Sequence, residues 1–220
     1  MPTTLPRATI RTQVTIPLRM GDGYATTVRA FTFEGLVDGR EHLALGFGSS
    51  ARSPLRHDGR RPTLVRLHSE CLTGDVLGSE RCDCGPQLRE AVGRLDRAGG
   101  YLLYLRQEGR GIGLYSKLDA YQLQSDGLDT YAANLALGYA ADERDYTAAA
   151  QMLLALGLPT VRLLSNNPDK AGQLTRNGVT VVEEVPTAVH LSPANARYLA
   201  TKAAGGHALD LGGRWPRPGR

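Results

Sequence analysis

The spacing of apolar residues changes once along this sequence, and the change restricts the chain to folds that combine a sheet with helices. Up to residue 67 the pattern is strand-like, and beyond residue 84 helical spacing alternates with short buried-type strands. Strands are predicted at 9–17, 24–33, 41–47, 63–67, 101–105, 161–164 and 179–185. Helices are predicted at 114–124, 130–137, 146–156 and 193–204, with two more, one ending at residues 99–100 and one starting at residue 168. This order predicts an α/β fold: a mixed sheet with flanking helices and a β-rich N-terminal portion, forming a single cooperative unit.

Length and composition favour a globular domain with its own core. The chain has 220 residues, of which 41% are apolar, too many for a disordered chain and enough to make a disulfide scaffold unnecessary. We expect a frayed N-terminus over 1–8, one domain over 9–204 and a flexible basic tail over 205–220. The first residues are polar, and no apolar run approaches the roughly 18 residues of a membrane span. The expected location is the cytoplasm, without a membrane partner.

Positive charge is concentrated in two segments. Residues 48–66 hold five arginines against one aspartate, and residues 202–220 hold four basic residues against one aspartate, while the whole chain carries +4. A nucleic-acid-binding face would place basic residues on folded elements among aromatic side chains. These lie instead in a loop predicted over 48–62 and in the tail, which favours solvated charge. We expect no nucleic-acid partner, and a zinc-stabilised nucleic-acid-binding module is the weaker alternative.

All three cysteines of the chain lie between positions 71 and 84. Cys71, Cys82 and Cys84 offer soft thiolate ligands, and three of them would leave one position of a tetrahedral zinc open for chemistry. The alternative from spacing alone is three buried or redox-active cysteines, since a free cysteine is often a small core residue. Polar neighbours favour the metal, and His68 or Asp83 could close the site as a fourth ligand. A lone histidine is more often hydrogen-bonded than metal-bound, so the predicted ligands are the three cysteines.

Further segments have the composition of a phosphate site. Residues 106–113 combine arginines and glycines between a predicted strand and a predicted helix, where backbone N–H groups can approach an anion. Lys170, one of only three lysines among 26 basic residues, lies one turn into a predicted helix and suggests a phosphate contact. Residues 142–145 mix acidic and basic side chains, and composition alone favours an ordinary helix start there.

Five ordered motifs give the sequence a close resemblance to the GTP cyclohydrolase II family. They lie at 66–75, 81–85, 106–110, 140–145 and 166–168, and the resemblance runs from about residue 10 to residue 205. It implies the first committed step of riboflavin biosynthesis, in which GTP and water give formate, pyrophosphate and 2,5-diamino-6-ribosylamino-4(3H)-pyrimidinone 5′-phosphate. A water activated by zinc would attack C8 of the guanine and open the imidazole ring.

The resemblance also implies individual site residues. Asp142 matches a proton acceptor, and Tyr121 matches a tyrosine that helps to complete the second hydrolysis. Arg144 matches a nucleophile at the α-phosphate, although a guanidinium, which has no free lone pair, is better suited to clamping a phosphate. GTP-binding positions are matched by Arg66, Leu67, His68, Ser69, Glu70, Gln87, Glu108, Gly109, Arg110, Thr130, Ser165 and Lys170.

Cofactors and partners follow from the same resemblance. It implies one Zn²⁺ per subunit on Cys71, Cys82 and Cys84, Mg²⁺ with the triphosphate, GTP as the substrate and a homodimer. Two positions depart from the family's pattern: Ser165 replaces a threonine and keeps its hydroxyl, and Glu80 replaces an apolar residue. The alternative function is that of a relative that stops at the formamide intermediate or serves specialised metabolism.

Overall fold

The described residues of the computed structural model, which are 5–52, 62–204 and 206–208, form one seven-stranded sheet with helices around it. The strands are β1 (Thr9–Arg19), β2 (Ala25–Glu34), β3 (Leu43–Phe47), β4 (Thr63–Ser69), β5 (Gly100–Leu105), β6 (Thr160–Leu164) and β7 (Thr180–Val185). Their order across the sheet is β1-β2-β3-β5-β4-β6-β7. Every strand predicted from the sequence is present, and the α/β fold with a mixed sheet is confirmed.

Eight α-helices lie in the described part of the chain. They are α1 (Ser49–Arg52), α2 (Leu72–Asp75), α3 (Cys84–Ala98), α4 (Leu114–Ser125), α5 (Thr130–Ala136), α6 (Thr147–Ala155), α7 (Pro168–Arg176) and α8 (Ala196–Ala204), and a 3₁₀ turn covers Glu108–Gly111. The predicted start of α7 is confirmed, because the Oδ1 of Asn167 accepts the N–H of Asp169 at 3.0 Å and Pro168 opens the helix. None of the described helices combines the length and the apolarity needed to cross a membrane.

The loop predicted over 48–62 begins instead with the helical turn α1. Ser50 in this turn is buried, because α1 packs against β3. Residues 53–61, which carry most of the basic side chains of that segment, lie outside the described residues.

The change of period in the sequence corresponds to a change of strand direction. The neighbouring pairs from β1 through β2 and β3 to β5 are antiparallel, whereas β5, β4, β6 and β7 run parallel to one another. Antiparallel strands can be joined by short turns, but parallel strands need crossover connections, which here contain the helices. The β-rich N-terminal portion is therefore the antiparallel half of the sheet.

Core side chains alternate between the two faces of the central strands. Val65 and Leu67 of β4 pack with Tyr146 in one buried cluster, and Leu64 packs with Leu95 of α3 in a second. Residues of α6 and α7 belong to the first cluster, so helices cover both faces of the parallel half. The carboxyl ends of β4, β5 and β6 consequently meet at one edge, and the loops that follow them converge there.

The domain boundaries at residues 9 and 204 stay a prediction. In the N-terminal segment, the Pro6 carbonyl accepts a hydrogen bond from the Nε2 of Gln151 at 2.7 Å, and Ala8 is buried. On the C-terminal side, the N–H of Ala208 donates to the carbonyl of Asn166 at 2.9 Å. Residues 1–4 and 209–220 lie outside the described residues.

Candidate active site

Three thiols meet at the carboxyl edge of the parallel strands. Cys71 directly precedes α2, Cys84 begins α3, and Cys82 lies between the two helices. Their Sγ atoms all lie within 4.8 Å of one another, and those of Cys71 and Cys82 are 3.7 Å apart. Tetrahedral zinc with Zn–S bonds of about 2.3 Å places its sulfur ligands about 3.8 Å apart. All three thiols are free, so their spacing and chemistry fit zinc.

The two side chains considered as a fourth ligand are engaged elsewhere. The Nε2 of His68 lies 3.0 Å from both carboxylate oxygens of Asp75. Burial lowers the pKa of His68, so the neutral ring donates its Nε2–H to that carboxylate. Asp83 accepts from the Nζ of Lys202 at 2.7 Å and from the amide of Gln87. The three cysteines therefore stay the predicted ligands.

A carboxylate and a glycine hold the thiol loop in shape. The Oδ2 of Asp75 accepts the backbone N–H of Cys71 at 3.1 Å and the hydroxyl of Tyr104 at 2.9 Å. Gly74 packs directly against the thiols, and a Cβ at this position would lie 2.8 Å from the Sγ of Cys82. The loop can bring the sulfurs together only because residue 74 has no side chain.

A cleft opens beside the thiols, and basic side chains dominate its walls. Of the described residues, two carboxylates line it, those of Glu70 and Glu108, against six basic side chains: Arg66, Arg110, Lys117, Arg144, Lys170 and Lys202. All three lysines of the chain belong to this set. A concave surface with such an excess of positive charge suits a polyphosphate.

Strand β4 contributes the first group of predicted residues. Arg66 is buried and donates to the carbonyl of Leu164 at 3.0 Å and to the Oε1 of Gln87 at 2.8 Å. Side chains alternate along a strand, so Leu67 points the other way, into the core. The carbonyl of Leu67, rather than its side chain, faces the site and accepts the Nζ of Lys170 at 2.8 Å.

Polar groups at the ends of the parallel strands complete this wall of the cleft. The Oγ of Ser69 accepts from the Nε2 of Gln107 at 3.0 Å, and the Oε2 of Glu70 accepts from the Nε of Arg106 at 2.9 Å. Ser165 accepts a backbone N–H two residues further on, at 3.0 Å. The hydroxyl that Ser165 shares with threonine is thus part of the turn that follows β6.

The glycine-rich segment after β5 presents a partly buried arginine to the cleft. Arg110 has a φ of +62°, between Gly109 at +64° and Gly111 at +97°. A Cβ at position 111 would lie 2.9 Å from the carbonyl oxygen of Glu143, so this turn also depends on close backbone approach. The Arg110 guanidinium lies 4.4 Å from the ring centroid of Tyr131, and its two buried Nη atoms make no hydrogen bond within the described residues. A guanidinium on a strained backbone, whose buried Nη atoms lack an acceptor among the described residues, indicates an anion site.

Asp142 and Arg144 form a tight ion pair. The Nε of Arg144 donates to the Oδ1 of Asp142 at 2.8 Å, and the Nη2 donates to the other carboxylate oxygen. Burial opposes the charge of Arg144, but Tyr146 and Asp142 outweigh burial and raise its pKa. Burial also opposes the charge of Asp142, but the hydrogen bond from Arg144 outweighs it and lowers the pKa of the carboxyl. Arg144 lines the cleft, whereas Asp142 supports it from behind.

The remaining predicted residues face the same cleft. Burial, followed by repulsion from Arg66 and Arg144, lowers the pKa of Lys170 well below its ordinary value. An anion entering the cleft would relieve that repulsion. Tyr121 of α4 and Thr130 at the start of α5 line the opposite wall. Burial raises the pKa of Tyr121, which therefore keeps its proton.

Sequence reasoning missed several side chains of the cleft, among them Lys117 of α4, Tyr198 and Lys202 of α8, and His207. Burial, followed by repulsion from Lys202 and other cations, lowers the pKa of His207 to about 4. The scarcity of lysine, which drew attention to Lys170, is the signal in the sequence that could have found Lys117 and Lys202.

Together the sheet, the thiol cluster and the cationic cleft define an α/β metalloenzyme whose substrate carries phosphate groups. Comparison with known proteins is specific: the chain belongs to the GTP cyclohydrolase II family, whose sequence profile matches residues 10–186. It is 51% identical over 181 residues to the GTP cyclohydrolase-2 of Vibrio cholerae, covering 82% of this chain and 88% of the relative. Identity to the GTP cyclohydrolase-2 of Cronobacter sakazakii is 53% over 180 residues, covering 81% and 88%. The corresponding protein of Aliivibrio salmonicida is 47% identical over 196 residues, covering 89% and 96%.

Proposed function

We propose that this protein hydrolyses GTP to formate, pyrophosphate and 2,5-diamino-6-ribosylamino-4(3H)-pyrimidinone 5′-phosphate, the first step of riboflavin biosynthesis. The observation that carries the proposal is the position of the three thiols on the wall of a cleft that also holds six basic side chains. A metal ion there would lie beside a bound polyphosphate. Membership of the GTP cyclohydrolase II family supports GTP as the substrate.

Cys71, Cys82 and Cys84 would hold one Zn²⁺ per subunit, as the 3.7 Å contact between two of their sulfurs supports. When bound, zinc supplies a Lewis acid that activates water for attack on the purine ring and the formyl group. Mg²⁺ would accompany the triphosphate, because it binds phosphate oxygens and keeps its own waters.

Four basic residues of the cleft would bind and orient the triphosphate: Arg66, Arg110, Arg144 and Lys170. Among the described residues, the Nζ of Lys170 has one acceptor, the carbonyl of Leu67, and the buried Nη atoms of Arg110 have none, so a phosphate oxygen would gain strong hydrogen bonds from both. Arg66 and Gln87 are already joined by a hydrogen bond, which fixes their geometry before substrate arrives.

Arg144 would act as a phosphate clamp rather than as a nucleophile. Its raised pKa leaves it protonated, and a protonated guanidinium has no electron pair to donate. Asp142 would orient that clamp, because a carboxyl with a lowered pKa is a weak proton acceptor. Tyr121 would donate a hydrogen bond near the thiols, where its protonated hydroxyl can position the formyl group for the second hydrolysis.

Product analysis tests the proposal directly. Zinc-loaded protein incubated with GTP and Mg²⁺ should release formate and pyrophosphate, with the pyrimidinone product identified by mass spectrometry. Cys82→Ser should abolish formate release, whereas Arg176→Gln, which changes an exposed side chain on α7, should not. A product that retains the formyl group would support the alternative of a relative that stops early. Absence of formate from zinc-loaded protein would refute the proposal.

We also propose a cytoplasmic homodimer. Three free cysteines suit a reducing compartment. Large apolar side chains are well exposed on α4 and after α2, with Leu77 71% and Tyr115 82% accessible, as a subunit interface requires. Sedimentation analysis of the full chain should give the mass of two subunits, and a concentration-independent monomer would contradict this.

A further inference from the structure

A buried lysine touches one of the three thiols. Lys117 of α4 is only 8% exposed, and its Nζ lies 3.2 Å from the Sγ of Cys71. The same Nζ donates to the Oγ1 of Thr73 at 2.9 Å and to the Oε1 of Glu108 at 2.8 Å. An ammonium group has three donors, and these three acceptors use all of them.

Glu108 holds this lysine in place and is itself fully engaged. Its Oε1 also accepts the N–H of Gly109 at 2.8 Å, and its Oε2 accepts the N–H of Leu72 at 2.7 Å. The carboxylate thus ties the loop after β5 to the helical turn that follows Cys71. Lys117 and Glu108 together form a buried bridge between the two loops that shape the thiol cluster.

The other two lysines of the cleft have different surroundings. Among the described residues, the Nζ of Lys170 donates only to the carbonyl of Leu67, and Lys202 pairs with Asp83. Lys170 therefore has donors available for a phosphate, whereas every donor of Lys117 is already used. Phosphate binding is a poor explanation for Lys117.

Charge balance at the metal site gives a better explanation for Lys117. Three thiolates around a divalent zinc leave a net charge of −1, and a buried charge is costly unless a partner compensates it. Lys117 supplies the compensating charge at hydrogen-bond distance from one ligand sulfur. Resting on the proposed function, which places zinc at this cluster, we propose that Lys117, held by Glu108, is a positioning residue of the metal site. It orients the Cys71 thiolate and neutralises the metal–thiolate unit.

Metal binding tests this without relying on activity. Zinc affinity of the full chain is measured by competition with a chromophoric chelator, and Co²⁺ is added separately to read the thiolate-to-cobalt charge-transfer band. Lys117→Met should weaken zinc binding by about 10- to 100-fold, the usual effect of losing an outer partner of a metal ligand, and should shift the Co²⁺ band. Lys117→Arg, which keeps the charge, should recover part of the affinity.

Two further variants separate the proposed role from simple damage. The double variant Lys117→Met, Glu108→Gln leaves no unpaired carboxylate, and it should still bind zinc as weakly as the single variant. Recovery of wild-type affinity in the double variant would overturn the proposal, because the loss would then come from the stranded Glu108. Lys170→Met, which removes a lysine that does not touch a thiol, should leave zinc affinity and the Co²⁺ band unchanged.

The outcomes distinguish this inference from the proposed function. Wild-type zinc affinity and an unchanged Co²⁺ band in Lys117→Met would overturn the role of Lys117, even if the wild-type enzyme releases formate from GTP. Failure of the wild-type protein to release formate would overturn the proposed function. The zinc titrations would still decide the role of Lys117, because they do not depend on activity.

Discussion

Both carboxylate oxygens of Asp142 accept hydrogen bonds from the guanidinium of Arg144, two residues further along the chain. The contact from the Nε of Arg144 to the Oδ1 of Asp142 is 2.8 Å, and the backbone N–H of Arg144 also donates to Oδ1 at 3.1 Å. This bidentate arrangement favours the charged form of both groups. It therefore lowers the pKa of the acid and keeps the base protonated, which suits an orienting pair better than a proton acceptor and a nucleophile.

The pH profile of Asp142→Asn should show which role the carboxylate has. The pKa of Asp142 lies below its ordinary value of 3.8, so the group is ionised throughout the range from about pH 5 to pH 9. An orienting carboxylate then produces no inflection in that range, and the substitution should lower kcat/KM by a similar factor at every pH. Loss of an acidic limb that the wild-type profile possesses would instead identify Asp142 as the proton acceptor.

Arg110→Gly should weaken GTP binding and raise the thermal stability of the protein. A left-handed backbone costs a residue with a side chain about 1 kcal/mol more than glycine, and the substitution also removes two buried guanidinium nitrogens that lack an acceptor among the described residues. We expect Tm to rise by about 2–4 °C and GTP to bind at least about 10-fold more weakly.

The matched control for that prediction is Arg110→Ala. It removes the same guanidinium but keeps a side chain at the positive φ, so it should lose the same affinity with a smaller gain in Tm. Measurements are thermal unfolding and equilibrium binding of a GTP analogue. Unchanged affinity in both variants would show that the Arg110 guanidinium does not contact the nucleotide.

Gly74→Ala should prevent zinc binding while leaving the fold intact. The added Cβ would lie 2.8 Å from the Sγ of Cys82, closer than such atoms approach, and in a tight contact of 3.2 Å with the Sγ of Cys71. The sulfurs must then separate, and bound zinc measured by elemental analysis should fall well below one per subunit, together with formate release. Gly93→Ala on α3 is the control, because its Cβ would meet only the end of the Arg97 side chain at 3.5 Å. That variant should keep its zinc, and full zinc occupancy in Gly74→Ala would contradict the prediction.

Local pattern predicted most of the fold, because strands and helices follow the period of their own residues. The predicted strand at 101–105 is β5, and the Asn-Pro signal placed α7 correctly. The turn α2 and the 3₁₀ turn after β5 have no such period. They exist because glycines permit close approach at the thiols and positive φ around Arg110, and only tertiary packing shows which glycines do this.

The sequence predicted some residues of the site and missed others, because local pattern is visible in a sequence and tertiary packing is not. The three cysteines are close in sequence, and their polar neighbours indicated a metal before any fold was known. Lys117 and Lys202 lie far apart in the chain, and nothing local relates either of them to Cys71 or Asp83. Their contacts at 3.2 Å and 2.7 Å come from the packing of α4 and α8 against the cleft. The sequence shows which residues are charged, but it does not show which buried groups they neutralise in the folded protein.

Nucleotide binding should change the protonation of His207. Burial and the nearby lysines and arginines lower its pKa to about 4, so the ring is neutral in the free enzyme at neutral pH. Relative to an unfolded value of about 6.5, this contributes stability that is complete above pH 6.5 and declines as the pH falls toward 4. A triphosphate in the cleft would screen those cations, so the pKa should rise by at least about one unit when a non-hydrolysable GTP analogue binds.

Proton uptake by His207 when the nucleotide binds determines whether nucleotide affinity rises or falls with pH. Because the complex holds the proton more tightly than the free enzyme, the His207 contribution should strengthen binding as the pH falls through the raised pKa, and it should level off below about 4. NMR titration of the imidazole C–H signals follows both states, with His207→Gln assigning the resonance among the five histidines of the chain. The same variant should lose this increment of affinity at low pH but not at pH 8, where the ring is neutral in both states. A His207 signal that titrates near 6.5 in the free enzyme, or that does not move when the analogue binds, would show that residue 207 lies away from the phosphates.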